Sequence, residues 1–219
     1  MYGCFSNLFR LDKGLYHFIT VNNLFTYAID EFTVKGREVN SLATYALWEW
    51  HFLKKEATDN SSILYKVIHN RNYEQLEGLI QISKTSKWLN TVEKIFIVKE
   101  LLKVISNSEA FNAIYAKLLW LLEDVDELND EIADLANIIS RNLINSSHTL
   151  YYYMKHIFKT ADSDLPLAGD IVTTILKNKY IVAPYDQGLV VFVNKLYDAG
   201  YKGAADEICI LVSEKNPYY

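Results

Sequence analysis

Three residues near one predicted helix junction, Arg141, Asn142 and His148, combine side-chain types that can break a phosphodiester bond without a metal ion. An arginine guanidinium can bind a phosphate through two parallel hydrogen bonds. A histidine imidazole titrates near neutral pH, so it can accept or return a proton during a reaction. The chain therefore carries an anion-binding group and a proton-transfer group at close spacing.

The motif Arg141-Asn142-x5-His148 resembles the motif of the HEPN-domain ribonucleases. The resemblance implies an all-α, metal-independent and usually dimeric enzyme of a toxin or antiviral-defence system. It also implies that Arg141 and His148 form the essential pair and that Asn142 orients them. On this alternative the pair would position the scissile phosphate and transfer protons as the ribose 2′-hydroxyl attacks, and RNA would be the partner.

A purely structural origin of these residues is the competing interpretation. Arg10 and His17 repeat the spacing elsewhere in the chain, which shows how easily the motif arises. A cation near a helix C-terminus is favourable without any catalysis, because it faces the negative end of the helix dipole. Arg141 would then be a surface cation, and His148 an ordinary residue of the next helix's first turn.

Carboxylates without any basic residue among them surround the predicted helix start at residue 127. They are Glu123, Asp124, Asp126, Glu127, Asp130, Glu131 and Asp134. We predict partner-binding contacts from Asp126, Glu127, Asp130 and Glu131. Such a cluster can attract a basic protein or a divalent metal, although Asp126 is also a good helix cap with acids filling the first turn behind it. The glycine and ligand spacing of an EF-hand are missing.

Aromatic side chains concentrate on a single predicted helix at 38–57. Tyr45, Trp48 and Trp50 are the members that we predict as partner-binding. Residues two apart lie on different faces of a helix, so these rings cannot all point into one core. Either the helix is sandwiched in the core, or one aromatic face is a binding surface for another protein.

The motif search predicts no cofactor and no bound metal. The sequence contains no GxGxxG, GxxxxGK[ST], HExxH or GxSxG motif. Cys4 and Cys209 form no CxxC or CxxH pairing, and His17, His51 and His69 lack metal-ligand spacing.

The elements that must position these residues are predicted to be helices throughout. The chain has three prolines, all beyond residue 160, and eight scattered glycines, which leaves long stretches without turn signals. Apolar residues recur at helical intervals in the segments 111–122 and 128–143. We therefore predict a single all-α domain over 1–219.

The predicted helices lie near 14–35, 38–57, 61–69, 73–85, 90–106, 109–123, 127–145, 148–160, 165–179, 186–199 and 202–215. Their predicted N-terminal caps are Asn72, Asn90, Asp126, Asp164 and Asp186, with Gln75 and Glu93 as third-position partners of the first two. Gly36 and Gly200 are predicted to end helices. The segment 92–105 is apolar on nearly every side, which predicts a helix buried between two others.

The last predicted hairpin resembles tetratricopeptide and pentatricopeptide repeats. The positions that carry the resemblance are Leu189, Phe192, Val193, Leu196, Ala205, Cys209, Val212 and Pro217. A small residue at Ala205 would let the second helix approach the first, and Ala168 lies in a corresponding place about 37 residues earlier. Stacked antiparallel helical hairpins follow, either as an irregular α-solenoid or as a compact helical bundle.

Net charge, cysteine content and hydropathy limit the classes of function that we expect. The formal net charge of −5 repels polyanions, and only two cysteines are present, which favours a reducing compartment. Neither a secretory signal nor a membrane-spanning run is recognisable. We therefore predict a cytoplasmic, non-enzymatic protein-interaction module whose partner is another protein. The HEPN-like ribonuclease is the first alternative, and an inhibitor or immunity protein that blocks another enzyme is the second.

Overall fold

The computed structural model describes residues 39–53, 62–105, 111–125, 127–143, 147–178 and 187–215. All regular secondary structure in these ranges is helical, which confirms the all-α prediction. The helices are α1 (Val39–Leu53), α2 (Ile63–His69), α3 (Tyr73–Thr85), α4 (Thr91–Val104), α5 (Asn112–Leu122), α6 (Asp130–Asn142), α7 (Ser147–Thr160), α8 (Leu165–Asn178), α9 (Gln187–Asp198) and α10 (Lys202–Lys215).

Two compact units divide the chain. The first lies within residues 1–105 and holds α1 to α4, and the second lies within residues 106–219 and holds α5 to α10. The single domain over 1–219 that the sequence predicts stays a prediction.

The predicted helix boundaries agree with the observed ones to within a few residues, and the start of α6 is among the larger differences. That helix begins at Asp130 rather than at residue 127. The side chain of Asn129 accepts a hydrogen bond from the backbone N–H of Ile132 at 3.0 Å, and so caps the helix there. Several predictions concern residues outside the described ranges: the helix at 14–35, the caps Asp126 and Asp186, the helix end at Gly36 and the repeat position Pro217.

Four other helix ends confirm the predicted capping residues. Asn90 and Glu93 form the full capping box, in which each side chain accepts a hydrogen bond from the other residue's backbone N–H. Asn72 and Asp164 each accept the backbone N–H of the third residue after them, at 3.1 Å. Gly200 ends α9 with φ of +92°, a conformation that glycine adopts without steric cost.

In the first unit, every helix packs on the next one and on the one after that. The centre of this core is aliphatic, and its fully buried members include Leu47, Leu64, Leu76, Leu79, Ile97 and Leu101. Glu49 of α1 is buried among them. One of its carboxylate oxygens accepts a hydrogen bond from the backbone N–H of Ile63 at 2.8 Å, so α1 satisfies one of the amides exposed at the start of α2.

The helix α4 is less enclosed than its apolar sequence predicts. Its most extensive contacts are with two helices, α2 and α3, and the end of α1 also touches it. However, Val92 is 75% exposed, and Lys99 and Lys103 also face solvent. The exposed side of α4 is therefore the one that carries Val92, Lys99 and Lys103.

In the second unit, the helices form two layers of stacked hairpins. The hairpins are α5–α6, α7–α8 and α9–α10, and in each the two helices pack on each other. The first helices of the hairpins make one layer, in which α7 contacts α5 and α9. The second helices make the other layer, in which α8 contacts α6 and α10. This arrangement confirms the predicted stacking of antiparallel hairpins.

Small residues allow the last two hairpins to approach closely. Ala168 and Ala205 are buried, as their small size predicted. Gly169, which was not among the predicted small positions, also lies at a close approach. A Cβ atom there would lie 3.2 Å from Cδ2 of Leu196 on α9 and 3.6 Å from Cβ of Ala204 on α10. Glycine at this position therefore sets how closely α8 packs against the last hairpin.

Candidate interaction surface

The predicted ribonuclease residues lie at the two ends of the connection between α6 and α7. Arg141 is exposed in the last turn of α6, and His148 is exposed in the first turn of α7. The side-chain amide of Asn142 donates a hydrogen bond to the carbonyl oxygen of Ile138 at 2.8 Å, within its own helix. The His148 ring meets the ring of Tyr152 edge-on, with 4.7 Å between centroids. The described contacts thus engage Asn142 and His148 within their own helices.

The aromatic residues of α1 lie mostly in the core. Tyr45 and Trp48 are only 4% and 8% exposed. The structure corrects the partner-binding prediction at these two positions, because α2 and α3 cover α1 and leave their side chains almost no free surface. Trp50 is half-buried and stacks on Phe96, with 5.2 Å between ring centroids. Its binding role stays a prediction.

A histidine–carboxylate pair joins the end of α1 to the start of α4. Nδ1 of His51 lies 2.7 Å from Oε1 of Glu93, and the second carboxylate oxygen of Glu93 belongs to the capping box with Asn90. The His51 ring also packs against Trp88, at 5.2 Å between centroids. Sequence reasoning missed this pair because its members are 42 residues apart. Its described contacts are those of a structural link between two helices.

The acidic residues at the start of α6 are exposed. Glu127, Asp130 and Glu131 all face solvent, and the last two fill the first turn of the helix, where the dipole favours negative charge. Asp126 lies outside the described residues. No group of three or more histidine, cysteine or acidic side chains in the described part of the chain is arranged to hold a metal ion. The partner-binding role of these carboxylates stays a prediction.

An apolar groove of about 190 Å³ lies between α9 and α10, which form the last hairpin of the stack. Its lining is Leu189, Val190, Val193, Asn194, Ile208, Cys209 and Val212. Leu189, Ile208 and Val212 are buried and form the floor, whereas Val190 and Cys209 are exposed. This groove is a concave surface whose lining offers few polar groups to water.

Helical periodicity explains why apolar side chains remain on this surface. Phe192 and Leu196 of α9 point inward, and the Phe192 ring stacks on Phe158 of α7 at 4.7 Å between centroids. Val190 and Tyr197 lie on other sides of the same helix and are 46% and 47% exposed. Leu189, Val193, Cys209 and Val212 are predicted repeat positions, but the open groove that they line was not predicted.

Comparisons with protein-family models, with curated proteins and with solved structures find no match to this chain. The two family resemblances noted in the sequence therefore stay predictions. Within the described residues, no helix is both long and apolar enough to cross a membrane.

Proposed function

We propose that this chain is a non-enzymatic, cytoplasmic protein-interaction module, and that the groove between α9 and α10 is its contact surface. The observation that carries the proposal is the composition of that groove, which is lined by six apolar or weakly polar side chains and by Asn194. Water hydrates such a surface poorly, and covering it with the apolar side chains of a partner is favourable. Concave apolar sites are also where binding energy concentrates in protein interfaces.

Two adjacent valines on α9 allow a matched test. Val190 lines the groove, and Val191 is equally exposed but does not line it, at 46% and 48%. A photo-crosslinking amino acid placed at Val190 should give discrete protein adducts in cells, whereas the same group at Val191 should not. The Val190 adducts should disappear when Val193→Asp is added. Equal adducts at both positions, or none at either, would contradict the proposal.

A ribonuclease is a second candidate, because Arg141 and His148 are both exposed and flank the same connection. On the proposed function we expect no cleavage of labelled single-stranded RNA in EDTA by the purified protein. Cleavage that is lost in both Arg141→Ala and His148→Ala, with helical content unchanged, would replace the interaction module by the enzyme.

An inhibitor or immunity protein is a third candidate, favoured by the exposed carboxylates Glu127, Asp130 and Glu131. A basic target enzyme would bind them by charge attraction, and the binding would weaken at high salt. Changing all three carboxylates to Gln or Asn would abolish binding to such a target. On the proposed function, the same change should leave the adducts at Val190 intact. Loss of the Val190 adducts in the neutralised protein would instead favour the inhibitor.

A further inference from the structure

One side of α7 carries a stripe of aromatic and cationic residues. His148, Tyr152, Lys155 and Lys159 follow one another at helical intervals, so they lie within about 60° of one another around the helix axis. Lys155 is half-buried and the other three are exposed, whereas buried residues such as Ile157 lie on the opposite side. The stripe is about 16 Å long, which is most of the length of α7.

Contacts within α7 hold the Tyr152 ring and the Lys155 ammonium group in place. The Tyr152 ring meets the ring of His148 edge-on at 4.7 Å between centroids, and that of Tyr151 edge-on at 6.2 Å. Tyr151 is itself buried, and Nζ of Lys155 lies 4.9 Å from the centroid of its ring. A ring that is 53% exposed and a cation are thus positioned one helical turn apart.

A second exposed ring lies on the neighbouring helix α5. Trp120 is 49% exposed. The carbonyl oxygen of Val125, just after α5, lies 3.3 Å from Nε2 of His156. Further along both segments, the backbone N–H of Leu128 donates a hydrogen bond to Oγ of Ser163 at 3.3 Å. The helices α5 and α7 therefore run in the same direction, and Trp120, five residues before Val125, lies near the level of the exposed ring on α7.

Positive charge is concentrated on this layer of the second unit. The helices α5 and α7 contain three lysines and no aspartate or glutamate, whereas α6, α8 and α10 contain seven acidic residues against four basic ones. Asp162, which follows α7, pairs with Lys195 of α9 at 2.8 Å. Glu123 and Asp124, which follow α5, are half-buried. A chain with a net charge of −5 thus has a local surface that attracts anions.

We propose that this surface binds a single-stranded nucleic acid. We call it the stacking face and define it by Trp120, His148, Tyr152, Lys155 and Lys159. Every base has a flat ring that stacks on an exposed aromatic side chain, and lysine ammonium groups neutralise the phosphates between the bases. An acidic protein segment would supply negative charge without a series of flat rings, so the polynucleotide matches the stacking face better.

This binding goes beyond the proposed function and uses a different surface. The stacking face lies on α5 and α7, whereas the proposed protein contact is the groove between α9 and α10. It also requires no reaction at Arg141 and His148, because its contacts are to bases and phosphates. RNA and DNA share those groups, so we expect both to bind. With few cations along about 16 Å, the affinity should be modest and should fall as salt is added.

The stacking contacts are tested by fluorescence anisotropy of the full chain with labelled oligo(dT) and oligo(U). Oligo(dT) lacks the 2′-hydroxyl, so a ribonuclease reaction cannot consume it. Tyr152→Ala and Trp120→Ala should each weaken binding at least about fivefold, because a base loses its stacking partner. Tyr152→Phe keeps the ring and should bind as wild type does. Tyr197→Ala is the matched control, since it removes a tyrosine of α9 that is 47% exposed and has Lys202 above its ring.

The phosphate contacts are tested by the salt dependence of the same binding. For a single strand, the logarithm of the association constant falls with the logarithm of salt concentration by about 0.7 for each phosphate that is neutralised. Lys159→Ala should therefore reduce this slope by about 0.7. Lys177→Ala removes an exposed lysine of α8, in the other layer, and should leave the slope unchanged.

Each other result would overturn the proposal. Wild type that binds neither oligonucleotide at low salt and high micromolar protein would do so, as would binding that Tyr152→Ala and Lys159→Ala leave unchanged. Equal affinity for duplex DNA would show attraction by charge without stacking. Binding to phosphatidylserine vesicles but to neither oligonucleotide would make a membrane surface the ligand instead. Val193→Asp should leave oligonucleotide binding intact, so the proposed function can fail separately. Circular dichroism of every variant checks that the helices are intact.

Discussion

At the scale of single residues, the phenol of Tyr153 stands out in the second unit. Its side chain on α7 is fully buried, and its hydroxyl has no hydrogen-bond partner among the described residues. Burial raises the pKa of Tyr153 well above its usual range, because the ionised form would lose its hydration, and the negative charge of Glu123 adds to the effect. The folded chain therefore holds this proton more tightly than the unfolded chain does.

The pH dependence of stability should show this difference. Above pH about 10, the unfolded chain releases the proton of Tyr153 while the folded chain keeps it, so the free energy of unfolding falls as pH rises. We expect Tyr153→Phe to reduce the loss by up to about 1.4 kcal/mol per pH unit, measured by urea unfolding between pH 9 and 11.

Near pH 7 the same substitution should be neutral or slightly stabilising, because it removes a buried donor that lacks a partner. Parallel curves for the two proteins above pH 10 would show that the phenol ionises as readily in the folded state as in the unfolded one.

At the scale of the helices, the features that depend on residues within one turn were predictable. The features that depend on which helices pack together were not. The caps at Asn72, Asn90 and Asp164 depend on residues within one turn, so sequence alone predicted them. The burial of Tyr45 and Trp48 depends on which helices cover α1, and no spacing within α1 contains that information. The open groove was missed for the same reason, because its lining depends on how α9 and α10 pack on each other.

The close packing at Gly169 provides a prediction at this scale. Gly169→Val should lower the free energy of unfolding by about 1–3 kcal/mol, because the new side chain meets Leu196 and Ala204. Gly203→Ala is the control, since a Cβ atom at Gly203 meets nothing within 4 Å and a helix prefers alanine by up to about 1 kcal/mol. Urea unfolding of both variants measures the difference. Equal effects would mean that the packing at Gly169 is looser than its distances indicate.

At the scale of the whole molecule, the two units differ in what they offer a partner. The first unit has its largest aromatic cluster largely turned inward, with Trp48 buried and Trp50 stacked on Phe96. The second unit contains the groove, the exposed acids of α6 and the pair Arg141 and His148. Every surface to which we assign a function in the described chain, apart from Trp50, therefore belongs to the second unit.

A fragment spanning residues 106–219 should accordingly fold by itself. The contacts of α5 to α10 make it a compact unit. We expect a helical circular dichroism spectrum and cooperative urea unfolding. A fragment that is unfolded would instead support the single domain over 1–219 that the sequence predicted.

The neighbour pattern of the helices has a consequence for the speed of folding. Every extensive helix contact joins consecutive helices or helices one apart, in both units. Few long loops must close before a contact forms, so the entropic barrier to folding is low. Helical proteins with such local contacts fold within microseconds to milliseconds. Each hairpin can therefore form soon after its second helix leaves the ribosome, before the next hairpin has been synthesised.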